Sequence, residues 1–235
     1  MDGDVVAIER QVKVVLERIH RAAERSGRPP ALVRLIAASK TAPVERLRDA
    51  WQAGVRHFGE NRLQEALPKI EQLGCPDVTW HFIGTLQRRK VKAVVGRFHT
   101  IHSVDSLALA EEIDRRAAEA GICQRVLLEI NLGGEASKGG FDPTDLPTVL
   151  PVLDRLAHLE VRGLMAIPPP TPTPEDARPY FRRLRELGRA LTGGQFRNIN
   201  MLELSMGMSQ DYEVAIEEGA TYVRVGTAIF GARHV

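Results

Sequence analysis

The pattern of hydrophobic and polar positions predicts one opening helix followed by eight alternating strand and helix units. Apolar side chains recur at helical spacing from Val5 to Ala23, and Gly27 with two following prolines ends that helix. After it, short β-rich runs alternate with longer amphipathic segments. The predicted strands are residues 33–40, 55–59, 78–83, 100–103, 125–131, 161–166, 200–205 and 222–225.

The segments between these runs predict helices at residues 44–53, 62–73, 87–95 and 107–117. Pro147 and Pro151 interrupt the segment from 142 to 156, which makes its helix the least regular. Residues 168–174 alternate proline and threonine after three prolines, and they predict an extended loop after the sixth strand. Apolar residues at helical spacing resume at 181–191.

Alternation of this kind predicts a parallel sheet with crossover helices. Eight units without a break in composition favour closure into a (β/α)8 TIM barrel with an extra N-terminal helix, and we expect a single domain over residues 1–235. An open doubly wound sheet is the alternative. It usually carries Gly-x-Gly-x-x-Gly after its first strand, where this chain has Ser39–Pro43.

Composition excludes several classes of protein. With 43% hydrophobic and 26% charged residues, the chain is neither disordered nor a disulfide scaffold. The net charge of +2 argues against a protein that coats nucleic acid. Two cysteines, Cys75 and Cys123, fit a reducing compartment, and we expect them to be buried or idle. We find no signal peptide and no apolar stretch of membrane length, so we expect a cytoplasmic protein with no membrane partner.

Candidate chemistry lies where the strands end, because barrels of this type carry their sites there. Lys40 closes the first strand and shares a face with Ile36 and Ala38. Partial burial there would leave its amine available as a nucleophile, whereas the alternative is a lysine that reaches solvent. Arg224, near the end of the eighth strand, would become its neighbour when the barrel closes. Pairing of Arg224 with Glu203 is the other interpretation.

The segments that follow the last two strands are rich in small residues. They are residues 205–209 and 226–231, and a helix is expected to begin near Asp211. Open backbone N–H groups at such positions favour anions, and the loops after strands seven and eight often bind phosphate in this fold. The alternative is that the glycines are plain turn residues. Both loops lie beside two cations, which favours the anion site.

Three weaker features remain. Histidines lie on three successive strands and could suggest a metal, but no carboxylate stands at a matching depth, so we expect hydrogen-bonded core histidines and no metal site: His57, His81 and His102. Residues 87–92 form a basic run that we interpret as an exposed helix face. Asn61 could cap a helix or reach a ligand. Lys138, in a flexible loop at residues 133–140, is either solvated or reaches a bound anion.

Seven stretches in this order resemble the pyridoxal phosphate homeostasis protein family, of YggS or PROSC type. They are residues 38–41, 58–61 with 64–65, 80–84 with 86–87, 137–139, 163–168, 204–209 and 224–231. The resemblance covers almost the whole chain. It implies an alanine-racemase-like barrel of PLP fold-type III, with pyridoxal 5′-phosphate (PLP) as the cofactor.

The resemblance also implies roles for individual residues. Lys40 would form the Schiff base with the cofactor, and Arg224 would face the pyridine nitrogen and resist its protonation. Asn61 would belong to the same site. The phosphate would be held by Ser205, Met206, Gly207, Gly226 and Thr227. Many relatives carry a second lysine where this chain has Ala42, so an auxiliary role for that second lysine is in doubt. Lys138, in the matching loop, is still present in this chain.

Two functions from different classes are consistent with these features. One is a non-catalytic protein that buffers PLP and supplies it to apo PLP enzymes; the other is a PLP-dependent amino-acid racemase. The racemases add a β-domain and an opposing tyrosine, whereas this sequence ends four residues after Gly231 and none of its three tyrosines clearly ends a strand at the mouth. We therefore expect a monomeric carrier without turnover. A sugar-phosphate barrel with Lys40 as its Schiff-base lysine is a weaker option, against which Arg224 argues.

Overall fold

Eight parallel strands close into a barrel in chain order, which confirms the predicted TIM barrel. The computed structural model describes residues 2–134 and 139–231. Each strand pairs with the next, and Ile36 lies beside Arg224 where the last strand meets the first. The strands are β1 (Arg34–Ala38), β2 (His57–Glu60), β3 (Thr79–Phe82), β4 (Thr100–Val104), β5 (Gln124–Glu129), β6 (Leu159–Met165), β7 (Ile199–Met208) and β8 (Tyr222–Val225).

Helices cover the outside of the barrel. They are α1 (Asp2–Arg25), α2 (Val44–Gln52), α3 (Leu63–Leu73), α4 (Val91–Val94), α5 (Leu107–Glu119), α6 (Leu146–Leu153), α7 (Arg178–Leu191), α8 (Tyr212–Glu217) and α9 (Thr227–Phe230). The proline-interrupted segment does form a helix, α6, because Pro147 lies in its first turn, where no backbone N–H is needed. The predicted helix at 87–95 is shorter, a 3-10 turn at Arg88–Lys90 followed by one turn of α4.

The extra helix α1 buries its apolar face against α8, α2 and α9. Ile8, Val12 and Ile19 are almost fully buried. On the polar side, Arg25 donates hydrogen bonds to Glu217 of α8 at 3.0 and 2.8 Å. The amphipathic pattern read from the sequence therefore corresponds to a helix that packs beside α8.

Two of the strand ends that differ from the prediction shape the site. Strand β1 ends at Ala38, and not at Lys40, because the chain turns after Ser39 donates its last sheet hydrogen bond to Gly59 and Thr41 adopts a left-handed φ of 65°. Strand β7 continues to Met208, three residues beyond the predicted end.

Inside the barrel, a small apolar cluster of Ile36, Leu127, Met165 and Tyr222 fills the space between the strands. The larger apolar core lies between the sheet and the helices. Among the described residues, no helix is long and apolar enough to span a membrane. Cys75 and Cys123 are both free; Cys75 is half-buried and Cys123 is exposed, so of the two expected states, buried or idle, neither residue shows full burial.

Candidate functional site

A cavity of about 300 Å³ opens at the carboxyl ends of the strands, where the sequence places the site. Its volume lies at the lower end of the range for small-molecule sites. The lining residues come from the first, second, third, sixth, seventh and eighth βα units: Ala38, Lys40, Asn61, Ile83, Ile167, Met208, Ser209, Gln210, Asp211, Arg224, Gly226 and Thr227.

Lys40 stands on a firmly held turn at the mouth of the cavity. Ser39 donates from its hydroxyl to the buried Glu60 carboxylate at 2.7 Å. Lys69 donates to the same carboxylate oxygen and to the Ser39 carbonyl, both at 2.8 Å. In contrast, the Lys40 amine makes no hydrogen bond or ion pair with any residue the structure describes. The backbone is fixed while the amine remains available to a ligand.

Arg224 is the second cation of the cavity, and it is held from below. Its Nη1 donates to Ser205 Oγ at 2.6 Å, and its Nη2 donates to the Ala166 carbonyl at 3.1 Å. Burial lowers the pKa of Arg224 to about 10, while the carboxylates of Glu129 and Asp211 act in the opposite direction. The guanidinium is therefore still charged at neutral pH.

The alternative pairing of Arg224 with Glu203 is wrong. Glu203 lies two residues before Ser205 on β7, one inward-facing layer further from the cavity. Its carboxylate is 3.9 Å from Arg162 Nε and accepts a hydrogen bond from the Tyr222 hydroxyl at 3.4 Å. Arg224 consequently has no carboxylate within ion-pair distance among the described residues.

The far side of the cavity is built from small residues and backbone. Ser209 Oγ accepts hydrogen bonds from the backbone N–H groups of Gly226 at 3.1 Å and Ala228 at 3.4 Å. Asp211 Oδ1 accepts from the Met208 N–H at 2.6 Å and shapes the turn into α8. A Cβ at Gly226 would lie 3.1 Å from the Ala38 carbonyl, so glycine allows β8 to leave the barrel close to β1.

The structure brings five of the eight predicted site residues together at the cavity: Lys40, Asn61, Arg224, Gly226 and Thr227. The other three do not line it. Ser205 and Met206 are fully buried, and Gly207 packs on α8, where a Cβ would lie 2.5 Å from Ala215 Cβ. The pairing of β7 with β8 shifts its register between Ser205 and Met208. As a result, Ser209, directly after the strand, lines the cavity in place of Ser205. Lys138 lies outside the described residues.

Asn61 faces the cavity with an unused acceptor. The N-cap position of α3 is Arg62, so Asn61 does not cap that helix. Its Oδ1 atom is buried and has no hydrogen-bond partner in the structure. A buried acceptor without a partner is costly, and a ligand that donates a hydrogen bond would satisfy it.

Apolar side chains at the mouth complete the cavity, and sequence reasoning missed them. Ile167 and Met208 leave 44% and 38% of their surfaces exposed, and Ile83 lies beside them on the lining. Each lies at the carboxyl end of a strand or within two residues of it, which is the signal that could have identified them. Such side chains favour a flat apolar ring between the two cations.

None of the three tyrosines lines this cavity. Tyr222 lies inside the barrel among His81 and His102. Tyr212 is buried at the start of α8, close to Arg18 of α1. Tyr180 lies in α7 on the outer side of the sheet.

The three histidines on β2, β3 and β4 are joined by hydrogen bonds, as the interpretation of them as core residues predicts. His57 and His81 are linked at 3.0 Å, and His81 and His102 are linked at 3.0 Å. Within residues 2–134 and 139–231, no group of three or more His, Cys, Asp or Glu residues has an arrangement that could hold a metal ion.

Known proteins resemble the chain along nearly its whole length. The family model described as alanine racemase, N-terminal domain, matches residues 12–234. A pyridoxal phosphate homeostasis protein of Aquifex aeolicus is 50% identical over 93% of this chain and 95% of its own. The PLP-bound structure of PipY from Synechococcus elongatus PCC7942 is 44% identical, covers 92% of this chain and 100% of its own, and has a TM-score of 0.80. A structure from Bifidobacterium adolescentis is 40% identical, covers 98% of this chain and 97% of its own, and has a TM-score of 0.93.

Proposed function

The chain belongs to the pyridoxal phosphate homeostasis protein family, and from that membership we propose that it binds PLP at Lys40, buffers it and supplies it to other proteins. The observation that carries the proposal is the pair of cations in one cavity, a free amine on Lys40 and a buried guanidinium on Arg224. A phosphorylated, electron-poor ring with an aldehyde fits between them. When bound, PLP supplies an aldehyde that condenses with a primary amine and releases water.

The residues of the cavity fit such a group from end to end. Lys40 would hold the aldehyde carbon, and the unpartnered Oδ1 of Asn61 would accept a hydrogen bond from the ligand. Arg224 would donate to the pyridine nitrogen and, having no acceptor, would keep that nitrogen unprotonated. Ile83, Ile167 and Met208 form apolar walls of the cavity that suit the ring.

We assign the phosphate to the turn formed by Ser209, Gly226 and Thr227, all of which line the cavity. Ser209 Oγ accepts backbone N–H groups, so its own proton is free to be donated to an anion. The family resemblance gave this role to Ser205, Met206 and Gly207 as well. Since those residues do not line the cavity, we assign Ser205 to holding Arg224 instead.

Absence of turnover is the finer part of the proposal. Racemisation at an α-carbon needs an acid and a base on opposite faces of the cofactor. Of the described cavity residues, Lys40 and Asp211 are the titratable groups besides Arg224, and the Asp211 carboxylate already accepts the Met208 N–H. Arg224 further weakens the ring as an electron sink. These features favour a carrier over an amino-acid racemase.

The test is incubation of PLP-loaded protein with a panel of amino acids in deuterated water. We expect no α-proton exchange above that of free PLP, together with transfer of the cofactor to an apo PLP enzyme. Exchange on any one amino acid that is lost in Lys40→Ala, but kept in the surface variant Lys92→Ala, would restore the racemase function.

The same assay decides how the cofactor leaves. A phosphatase that destroys free PLP is added during transfer to the apo enzyme. Direct delivery would persist in its presence, whereas release into solution would be abolished. We propose apo PLP enzymes as the recipients, and either outcome is compatible with a buffering role.

We also propose that the protein is a cytoplasmic monomer. Both cysteines are free, which suits a reducing compartment. The exposed large apolar side chains of the described residues are few: Val14, Leu16, Leu32, Ile167, Leu202 and Met208. Ile167 and Met208 line the cavity, and Leu32 and Leu202 line a second one, and such pairs are smaller than the apolar patch that marks an interface. Sedimentation at several concentrations measures the oligomeric state.

A further inference from the structure

A chain of hydrogen bonds runs through the barrel from Arg224 to His57, and the function proposed above uses only its first members. Arg224 Nη1 is 2.6 Å from Ser205 Oγ, which is 2.9 Å from His102 Nδ1. His102 Nε2 is 3.0 Å from His81 Nδ1, and His81 Nε2 is 3.0 Å from His57 Nδ1. Ser205, His81 and His102 are completely buried.

The proton positions along this chain follow from its first link. An arginine can only donate, so Ser205 Oγ accepts from Arg224. The hydroxyl proton of Ser205 then has one acceptor within reach, His102 Nδ1. If His102 Nδ1 carried a proton instead, the hydroxyl proton would be buried without a partner, at a cost of about 1–3 kcal/mol. His102 is therefore the Nε2–H tautomer.

The same reasoning passes along the remaining links. His102 Nε2–H donates to His81 Nδ1, so His81 must also carry its proton on Nε2. His81 Nε2–H donates to His57 Nδ1, which fixes the third tautomer. All three histidines are thus predicted to be neutral Nε2–H tautomers that point their donors away from Arg224.

Burial and charge keep the chain neutral. Burial lowers the pKa of both His81 and His102 well below the usual value, and the charge of Arg224 lowers that of His102 further. At the other end, burial lowers the pKa of His57 to about 4, and the positive charge of Arg34 acts in the same direction. His99, which contacts Thr100 and Arg125, lies next to the chain without belonging to it. The Glu203 carboxylate on β7 is paired with Arg162 and accepts a hydrogen bond from Tyr222.

We propose that His102, acting through the Ser205 hydroxyl, is a positioning residue that fixes the Arg224 guanidinium against the pyridine nitrogen of bound PLP. The ligand's identity rests on the proposed function, whereas the direction of the hydrogen bonds does not. Because the Ser205 proton is committed to His102, only lone pairs of Ser205 face Arg224. Together with the Ala166 carbonyl, this leaves the remaining guanidinium donors for the cavity.

Two substitutions of His102 separate its hydrogen-bonding role from its volume. His102→Leu removes the acceptor of the Ser205 hydroxyl proton. That proton can then turn toward Arg224 and disturb the hydrogen bond that Arg224 donates to Ser205 Oγ. His102→Asn retains an oxygen near the position of Nδ1 that accepts the Ser205 proton. His99→Leu is the matched control, since it removes a neighbouring histidine outside the chain. Ser205→Ala breaks the same link if His102→Leu does not fold.

The first measurement uses the cofactor-free protein and does not depend on PLP. Nitrogen-15 spectra of the histidine rings at neutral pH should show Nε2–H tautomers for His57, His81 and His102. The Arg224 side-chain N–H signals should be resolved in the wild type and in His102→Asn, and broadened by exchange in His102→Leu. An Nδ1–H tautomer or an imidazolium at His102, or an unaffected Arg224 in His102→Leu, would overturn the inference.

The second measurement follows the ring nitrogen of PLP labelled with nitrogen-15. In the wild type, His102→Asn and His99→Leu, its resonance should stay at the unprotonated position as the pH falls from about 8 to about 6. In His102→Leu it should move toward the protonated position. Normal binding with identical pH profiles in all variants would refute the positioning role. Failure of the wild type to bind PLP would refute the proposed function, while the histidine tautomers would still decide the hydrogen-bond chain.

Discussion

Lys40 and Arg224 line the same cavity under opposite constraints. Lys40 keeps an amine without partners among the residues that the structure describes, on a turn that Ser39 and Glu60 hold in place. Arg224 has its guanidinium fixed by Ser205 and the Ala166 carbonyl. This arrangement suits reversible capture of an aldehyde. Only the Lys40 amine changes its bonding, while the Arg224 guanidinium stays in place.

At the residue scale, Ser209 and Ser205 should affect binding in different ways. Ser209→Ala removes a donor to the phosphate, so PLP binding should weaken by about 1–3 kcal/mol while binding of unphosphorylated pyridoxal stays nearly unchanged. Ser205→Ala acts through Arg224 and the ring, so it should weaken both ligands to a similar degree. Titration of each variant with both ligands measures this. Equal losses for both ligands in Ser209→Ala would remove the phosphate from that turn.

His57 should contribute to loss of stability in acid. Its pKa is about 4 in the folded protein, against an ordinary value of about 6.5 in the unfolded chain. The unfolded state therefore binds more protons between these values, so the stabilisation is present above about pH 6.5 and is lost as the pH falls toward 4.

Replacing His57 tests the sign of this pH dependence of stability. Unfolding of the wild type at pH 5 should take up about one proton more than unfolding of His57→Gln, measured from the pH dependence of the free energy of unfolding. The surface variant His20→Gln is the control for removal of a histidine. Equal proton uptake by the wild type and His57→Gln would mean that His57 titrates alike in both states.

At the scale of elements, the segment from β7 to α8 determines which residues reach the cavity. Gly207 has a φ of 90°, and a Cβ there would lie 2.5 Å from Ala215 Cβ and 2.9 Å from Tyr212 Cα. The chain can turn here only without a side chain. This turn brings Ser209 and Asp211 to the cavity and leaves Ser205 beneath Arg224.

Gly207→Ala should therefore destabilise the fold strongly. The left-handed backbone costs about 1–2 kcal/mol and the collision with α8 about 1–3 kcal/mol, so we expect a loss of about 2–5 kcal/mol in the free energy of unfolding. Gly193→Ala is the matched control, because nothing lies within 4 Å of a Cβ at that position. Similar denaturation midpoints for the two variants would show that α8 can move away at little cost.

The sequence predicts the elements well and the ends of β1 and β7 poorly. Hydrophobic periodicity identifies all eight strands, because each is buried on both sides and flanked by amphipathic segments. Periodicity cannot show that the pairing of β7 with β8 becomes irregular between Ser205 and Met208. Such an irregularity changes the direction of the side chains that follow without any change in the pattern of residue types. For that reason Arg224 and Lys40 could be placed from the sequence, whereas Ser209 and the partners of Ser205 could not.

At the scale of the whole molecule, barrel closure creates the site. Lys40 and Arg224 are far apart in sequence, and they share a cavity because β8 pairs with β1. Closure also brings residues of β2, β3 and β4 into line with Ser205 on β7, which forms the hydrogen-bond chain behind Arg224. The eight-stranded architecture thus supplies both the reactive amine and the support for the cation opposite it.

Reduction of the PLP-loaded protein with borohydride, followed by peptide mass mapping, tests covalent capture of the cofactor most directly. We expect the pyridoxyl label on the peptide that contains Lys40. Lys40→Ala should lose most of the covalent cofactor, although weak binding through the phosphate persists, and Lys92→Ala should be labelled like the wild type. A label on another residue of the wild-type protein, with Lys40 unmodified, would contradict the assignment of this cavity as the PLP site.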